Sequence, residues 1–83
     1  MQEPEIYAKL TPIFHDIFDD ESIVLNPQLT AEDVDGWDSF KHVALMVQIE
    51  RTFGVKFRTA EMESMRNLAG MVQGISNKLV HRA

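Results

Sequence analysis

The densest grouping of reactive side chains in the sequence is Asp38-Ser39-Phe40-Lys41-His42. Carboxylate, hydroxyl and imidazole are the residue types of a hydrolytic triad. A triad, however, needs its acid to orient the histidine, with oxyanion donors and a pocket around them. An acid adjacent to its serine serves that poorly, and 83 residues leave little room for a substrate cleft. No catalytic residue is therefore assigned, and His42 is expected at the surface. His15 and His81 lack ligand-like spacing. Asp33, Asp35 and Asp38, with Gly36 among them, hint at calcium, but the glycine position and distal glutamate of an EF-hand loop are missing, so no metal site is expected. What remains is a hydroxyl that could be modified. The chain has no cysteine, so thiol chemistry here would need a thiol from a cofactor.

Ser39 is expected to open a helix. Leu45, Met46, Ile49 and Phe53 fall on one face of residues 39–52, and Gly54 can end the helix in a left-handed conformation. Phe40, Val43, Ala44 and Val47 form a second apolar group, with Lys41, Gln48 and Thr52 in the polar strip between. A helix apolar on two faces is buried on both or offers one to a partner, and a short chain cannot easily bury both. The backbone N–H groups of a first helical turn lack intrahelical acceptors and carry partial positive charge, so a phosphodiester on Ser39 would be received favourably there. The blander role for Ser39 is that of an N-cap.

Ile6, Leu10, Ile13, Phe14, Ile17 and Phe18 predict a first helix from about Glu3 to Asp19. Pro12 lies inside it. Because the periodicity carries across, a kink is expected rather than a fresh start capped by Thr11. Between Asp20 and Asp38 the pattern dissolves into turn formers, with Ile23, Leu25, Leu29 and Val34 available as anchors. A loop of that length is uncommon unless it is functional. After Val55-Lys56-Phe57, Thr59 can cap a short third helix, with Glu61 near its positive end. Asn67 can cap a fourth, striped by Leu68, Val72, Ile75 and Leu79. Gly70 and Gly74 weaken that helix but leave a smooth strip for close approach. The expected fold is all-α: a four-helix bundle of three longer helices and one short one, with a long loop between the first two, residues 1–83 forming a single domain.

Composition fits that picture, with 45% hydrophobic and 25% charged residues. No apolar run is long enough to span a bilayer, and the first residues lack a signal-peptide pattern, so a cytoplasmic monomer is expected. The net charge of −5 is unevenly spread: residues 1–38 hold ten acids and one base, whereas residues 39–83 hold three acids and seven bases. Seven dispersed bases make a poor nucleic-acid patch, and attraction between the two halves is the expected consequence.

The segment Gly36-Trp37-Asp38-Ser39-Phe40, continued by His42-Val43-Ala44-Leu45-Met46-Val47-Gln48-Ile49-Glu50-Arg51-Thr52-Phe53-Gly54-Val55, resembles the modification site and second helix of acyl carrier proteins. That family shows Asp-Ser-Leu at a helix start, an apolar helix rich in Leu, Val and Met, then a Glu and a Phe before the next loop. The resemblance extends from about Glu5 to Leu79. It implies that a phosphopantetheinyl transferase, with magnesium in its own active site, moves 4′-phosphopantetheine from coenzyme A onto Ser39. It implies further that the arm's thiol carries acyl groups as thioesters to acyl-transferring and ketosynthase-type enzymes. The pathway would be one of fatty acid, polyketide or specialised lipid synthesis. Asp38 would help the transferase recognise the site.

Two departures stand out. Phe40 replaces the leucine, and Lys41, Ala44, Arg51 and Thr52 occupy a face that is strongly acidic in many fatty-acid-synthesis carriers. Phe40, Lys41, Val43, Val47 and Arg51 are the expected partner-facing residues, and loss of acidity there points to a separate partner set. Met46, Met62, Met65 and Met71 fall where the later helices should meet and are candidates to line an adaptable acyl pocket, although ordinary core filling explains them too. The competing non-enzymatic reading is a helical interaction adaptor that never carries an arm.

Overall fold

The computed structural model describes residues 2–81, without the side chain of His81. Met1, Ala83, Arg82 with its share of the basic half, and the His81 imidazole lie outside the described residues. Among the described residues four α-helices follow one another: α1 (Glu3–Phe18), α2 (Ser39–Phe53), α3 (Thr59–Glu63) and α4 (Leu68–His81). Helix α1 packs against both α2 and α4. The result is the expected helical bundle, with a long loop between α1 and α2. None of the described helices is long and apolar enough to cross a membrane.

The core follows the periodicities. Ile6, Leu10 and Phe14 of α1, Leu45, Met46 and Ile49 of α2, and Leu68, Met71 and Ile75 of α4 are all fully buried. Burying each such side chain stabilises the fold by about 1.5–3 kcal/mol. Helix α1 runs unbroken through Pro12, so Thr11 starts no new helix; its hydroxyl instead donates to the Tyr7 carbonyl at 2.9 Å. The interior proline costs about 3 kcal/mol in a helix with nothing to oppose it. Here the buried stripe on both sides of Pro12 opposes it.

The long loop is built from local turns and two long-range anchors. Asn26 Oδ1 accepts from Gln28 N–H and Asp33 Oδ2 from Thr30 N–H, each at 2.9 Å, and Ala31–Asp33 form a turn of 3-10 helix. His15 Nε2 lies 2.8 Å from the Ile23 carbonyl oxygen, tying the loop to the last turn of α1. An antiparallel bridge joins Thr30 and Asn67: Ala31 N–H donates to the Arg66 carbonyl and Leu68 N–H to that of Leu29, both at 2.9 Å. This bridge, absent from the sequence reading, fixes the loop against the start of α4.

Three further expectations concern the start of α3, the glycine strip and the charge split. Arg58, not Thr59, is the residue before α3, and its N–H donates to Glu61 Oε1 at 2.8 Å; an acid three residues on satisfies the helix start without a threonine cap. The strip left by Gly70 and Gly74 is closely approached by the residues at the end of α3: a Cβ on Gly70 would stand 2.7 Å from the Ser64 carbonyl oxygen. A Cβ on Gly74 would stand 3.0 Å from Met65 Sδ, so the methionine side chain occupies that space. Finally, the ion pairs formed among the described residues, Arg66–Glu63 at 3.2 Å and Lys78–Glu61 at 3.1 Å, both lie inside the basic half. Among the described residues the charge split between the halves is not realised as direct ion pairs.

Candidate functional site

Ser39 is presented by a sequence of small local decisions. Val34 and Trp37 are buried and hold the end of the loop to the core. Between them the chain turns: Trp37 N–H donates to the Val34 carbonyl at 3.2 Å, and Gly36 takes a φ of 86°. That is the third position of a turn in which a left-handed residue is needed, and glycine adopts it without steric cost. Asp38 is then the N-cap of α2, its Oδ1 accepting from Lys41 N–H at 2.8 Å. Ser39 is consequently the first residue inside the helix and not its cap. Its hydroxyl is left exposed at the positive end of a helix 15 residues long.

Among the described residues, the side chain that reaches that hydroxyl is Arg66. Arg66 Nη2 donates to Ser39 Oγ at 3.2 Å, while Arg66 Nε donates to Glu63 Oε2 at 3.2 Å. Alongside, Thr30, Ala31, Glu32, Trp37, Arg66 and Asn67 line an open groove of about 590 Å³. Arg66 was not singled out from the sequence. Its partner lies 27 residues away, and no periodic signal marks such a pair.

His42 is not the surface residue expected. It is only 3% exposed, on the same stripe as Leu45, Met46, Ile49 and Phe53. Extending that stripe one turn towards the N-terminus would have found it. Trp37 Nε1 donates to its Nδ1 at 3.0 Å, and its Nε2 lies 2.7 Å from the Met62 carbonyl oxygen. The imidazole is thus engaged at both nitrogens and unavailable to Ser39 as a base, which removes the geometric ground for a hydrolytic pair. Trp37 itself packs edge-on to Phe14, with ring centroids 5.4 Å apart, and within 5.8 Å of Phe18.

The second apolar face of α2 points outward. Phe40 is 80% exposed, Val43 58% and Val47 39%, with Arg51 exposed at its far end. Lys41 departs from this set: it is half-buried, and its Nζ donates to the Ile17 carbonyl at 3.2 Å, complementing the negative end of α1. Of the methionines, Met46, Met65 and Met71 lie in the core and Met62 packs partly buried against it. Among the described residues no group of three or more His, Asp or Glu side chains is arranged to hold a metal ion.

No family model matches the chain, and no curated protein sequence does. Solved structures do. The solution structure of holo acyl carrier protein from Geobacter metallireducens superposes with a TM-score of 0.83 at 37% sequence identity, over 92% of this chain and 87% of that one. The helix order, the long first loop and the serine-led second helix resemble that family in sequence, and the fold agrees. The chain belongs to the acyl carrier protein family.

Proposed function

We propose that Ser39 is the attachment point of a 4′-phosphopantetheine arm and that the protein delivers acyl groups on it without catalysing bond chemistry itself. The observation that carries this reading is the state of the Ser39 hydroxyl: exposed, at the positive end of α2, relieved of capping by Asp38 and touched by a guanidinium. These residues fit a phosphodiester, which needs an open oxygen to bond to and positive charge around it. In the loading step the Ser39 oxygen bonds to the pantetheine-bearing phosphorus of coenzyme A, and the pyrophosphate bond breaks. Adenosine 3′,5′-bisphosphate leaves, and the hydroxyl proton passes to a base of the transferase. Once attached, the arm supplies the thiol that this cysteine-free chain lacks and holds acyl groups as thioesters.

Phe40, Val43, Val47 and Arg51 form the face that meets the transferase and the acyl-transferring and ketosynthase-type enzymes. With Ala44 and Arg51 on α2, and Glu50 of that helix accepting from Phe57 N–H at 2.8 Å, enzymes that dock a basic patch on an acidic helix gain little attraction here. We assign the protein to a specialised fatty-acid, polyketide or lipid pathway with its own partner set, acting as a single-domain monomer. Asp38 serves transferase recognition in addition to its capping bond. Met46, Met65 and Met71, with Met62 at their margin, are the adaptable side chains between which an acyl chain would insert. Incubation with coenzyme A and a broad-specificity transferase should add one phosphopantetheine to the wild-type mass and none to Ser39→Ala. An unchanged wild-type mass would favour the adaptor reading.

A further inference from the structure

Resting on the assignment of Ser39 as the modified residue, we infer that Arg66 is the phosphate-binding residue of the loaded protein, pairing its guanidinium with the diester on Ser39. The side chain is already in place: Nη2 stands 3.2 Å from Ser39 Oγ. Its direction is set from two sides. The Arg66 carbonyl accepts from Ala31 N–H at 2.9 Å, which pins the backbone to the loop, and Nε is held by Glu63 Oε2 at 3.2 Å. A guanidinium has five N–H donors, and the bonds to Ser39 Oγ and Glu63 Oε2 occupy two of them.

Esterification changes what Arg66 faces. The hydroxyl oxygen becomes a bridging ester oxygen, a poor acceptor, while the negative charge resides on the two non-bridging oxygens one P–O bond further out. The groove of about 590 Å³ between Arg66, Thr30, Ala31, Glu32, Trp37 and Asn67 gives the guanidinium room to follow them. A compensating cation is needed because Glu32, Asp35 and Asp38 are all exposed in the segment leading to Ser39. Lys41, next along the helix, has its ammonium on the Ile17 carbonyl instead. Arginine suits a diester better than lysine because its planar fork can engage both non-bridging oxygens.

The test compares wild type, Arg66→Gln and Arg66→Lys, each as apo protein and after complete transfer from coenzyme A, verified by intact mass. Wild-type loading should shift the Arg66 Nε–Hε resonance, and the 31P resonance of the diester should differ between wild type and Arg66→Gln. Loading should also raise Tm by roughly 2–4 °C more in wild type than in Arg66→Gln at low salt, with the difference shrinking as salt is added. Arg66→Lys should recover part of the Tm difference without the wild-type 31P position. If all three proteins load fully and show the same 31P position and the same Tm change, Arg66 does not bind the diester although Ser39 is the attachment site. If wild type gains no mass, the assignment of Ser39 is itself wrong, and the role of Arg66 goes with it.

Discussion

Trp37 donates its indole N–H to Nδ1 of His42 across 3.0 Å, with the two rings stacked at 5.9 Å between centroids. Indole nitrogen is a donor only, so Nδ1 must accept; Nε2 then carries the imidazole proton and donates to the Met62 carbonyl at 2.7 Å. Three parts of the fold meet through one side chain: the loop end that presents Ser39, the first turn of α2, and α3. Replacing Trp37 by Phe keeps most of the packing but strands a buried acceptor, which should cost about 1–3 kcal/mol. His42→Ala removes both bonds and leaves a cavity, and about 2–4 kcal/mol is expected by urea denaturation.

Asp38 offers a way to separate structure from recognition. Asp38→Ala removes the bond to Lys41 N–H and should destabilise by about 1 kcal/mol, or roughly 4–8 °C in Tm. Asp38→Asn keeps an N-capping oxygen and should leave Tm nearly unchanged. If the carboxylate also serves the transferase, the asparagine variant will load more slowly at wild-type stability. Equal loading rates would reduce Asp38 to its capping role.

Phe40, Val43 and Val47 contribute little to the core, given how much of each is exposed. Phe40→Ser should therefore change unfolding free energy by no more than about 0.5 kcal/mol. If that face docks the transferase, the same substitution should lower kcat/KM for loading by about tenfold, as truncating an interface anchor commonly does. Stability and loading falling together would mean that Phe40 belongs to the core after all.

Glu61 links stability to pH. Donation from Arg58 N–H, and next the contact with Lys78, hold its carboxyl below the ordinary value of 4.5. A carboxyl depressed in the folded state contributes stability above its unfolded value and loses it as pH falls through the lower, folded one. Wild type should therefore exceed Glu61→Gln in urea midpoint at about pH 7, and the two should converge at about pH 3. A gap independent of pH would contradict this origin.

The helices were legible because each repeats a simple rule. Ile6, Leu10 and Phe14, or Leu68, Val72 and Ile75, return to one face every three or four residues, and Gly54 and Asn67 mark an end and a start. That Ser39 opens a helix was legible from the apolar stripe that follows it. The groups that surround it were not. Arg66 reaches Ser39 across two helices, and the bridge between Thr30 and Asn67 joins two irregular segments, so neither leaves a local pattern. His42 misled for a different reason. A polar residue on an apolar stripe reads as surface until its two partners, Trp37 and a backbone carbonyl, are seen to satisfy it.

A chain without a sulfhydryl should acquire one at Ser39. Titration with a thiol-specific reagent before and after treatment of the apo protein with coenzyme A and transferase decides this, because a cysteine-free chain without the arm gives no background. About one reactive thiol per loaded chain is expected, located by fragmentation on the peptide containing Ser39 and absent from Ser39→Ala. A treated wild-type protein that still shows no thiol, or one that maps to another residue, would contradict it.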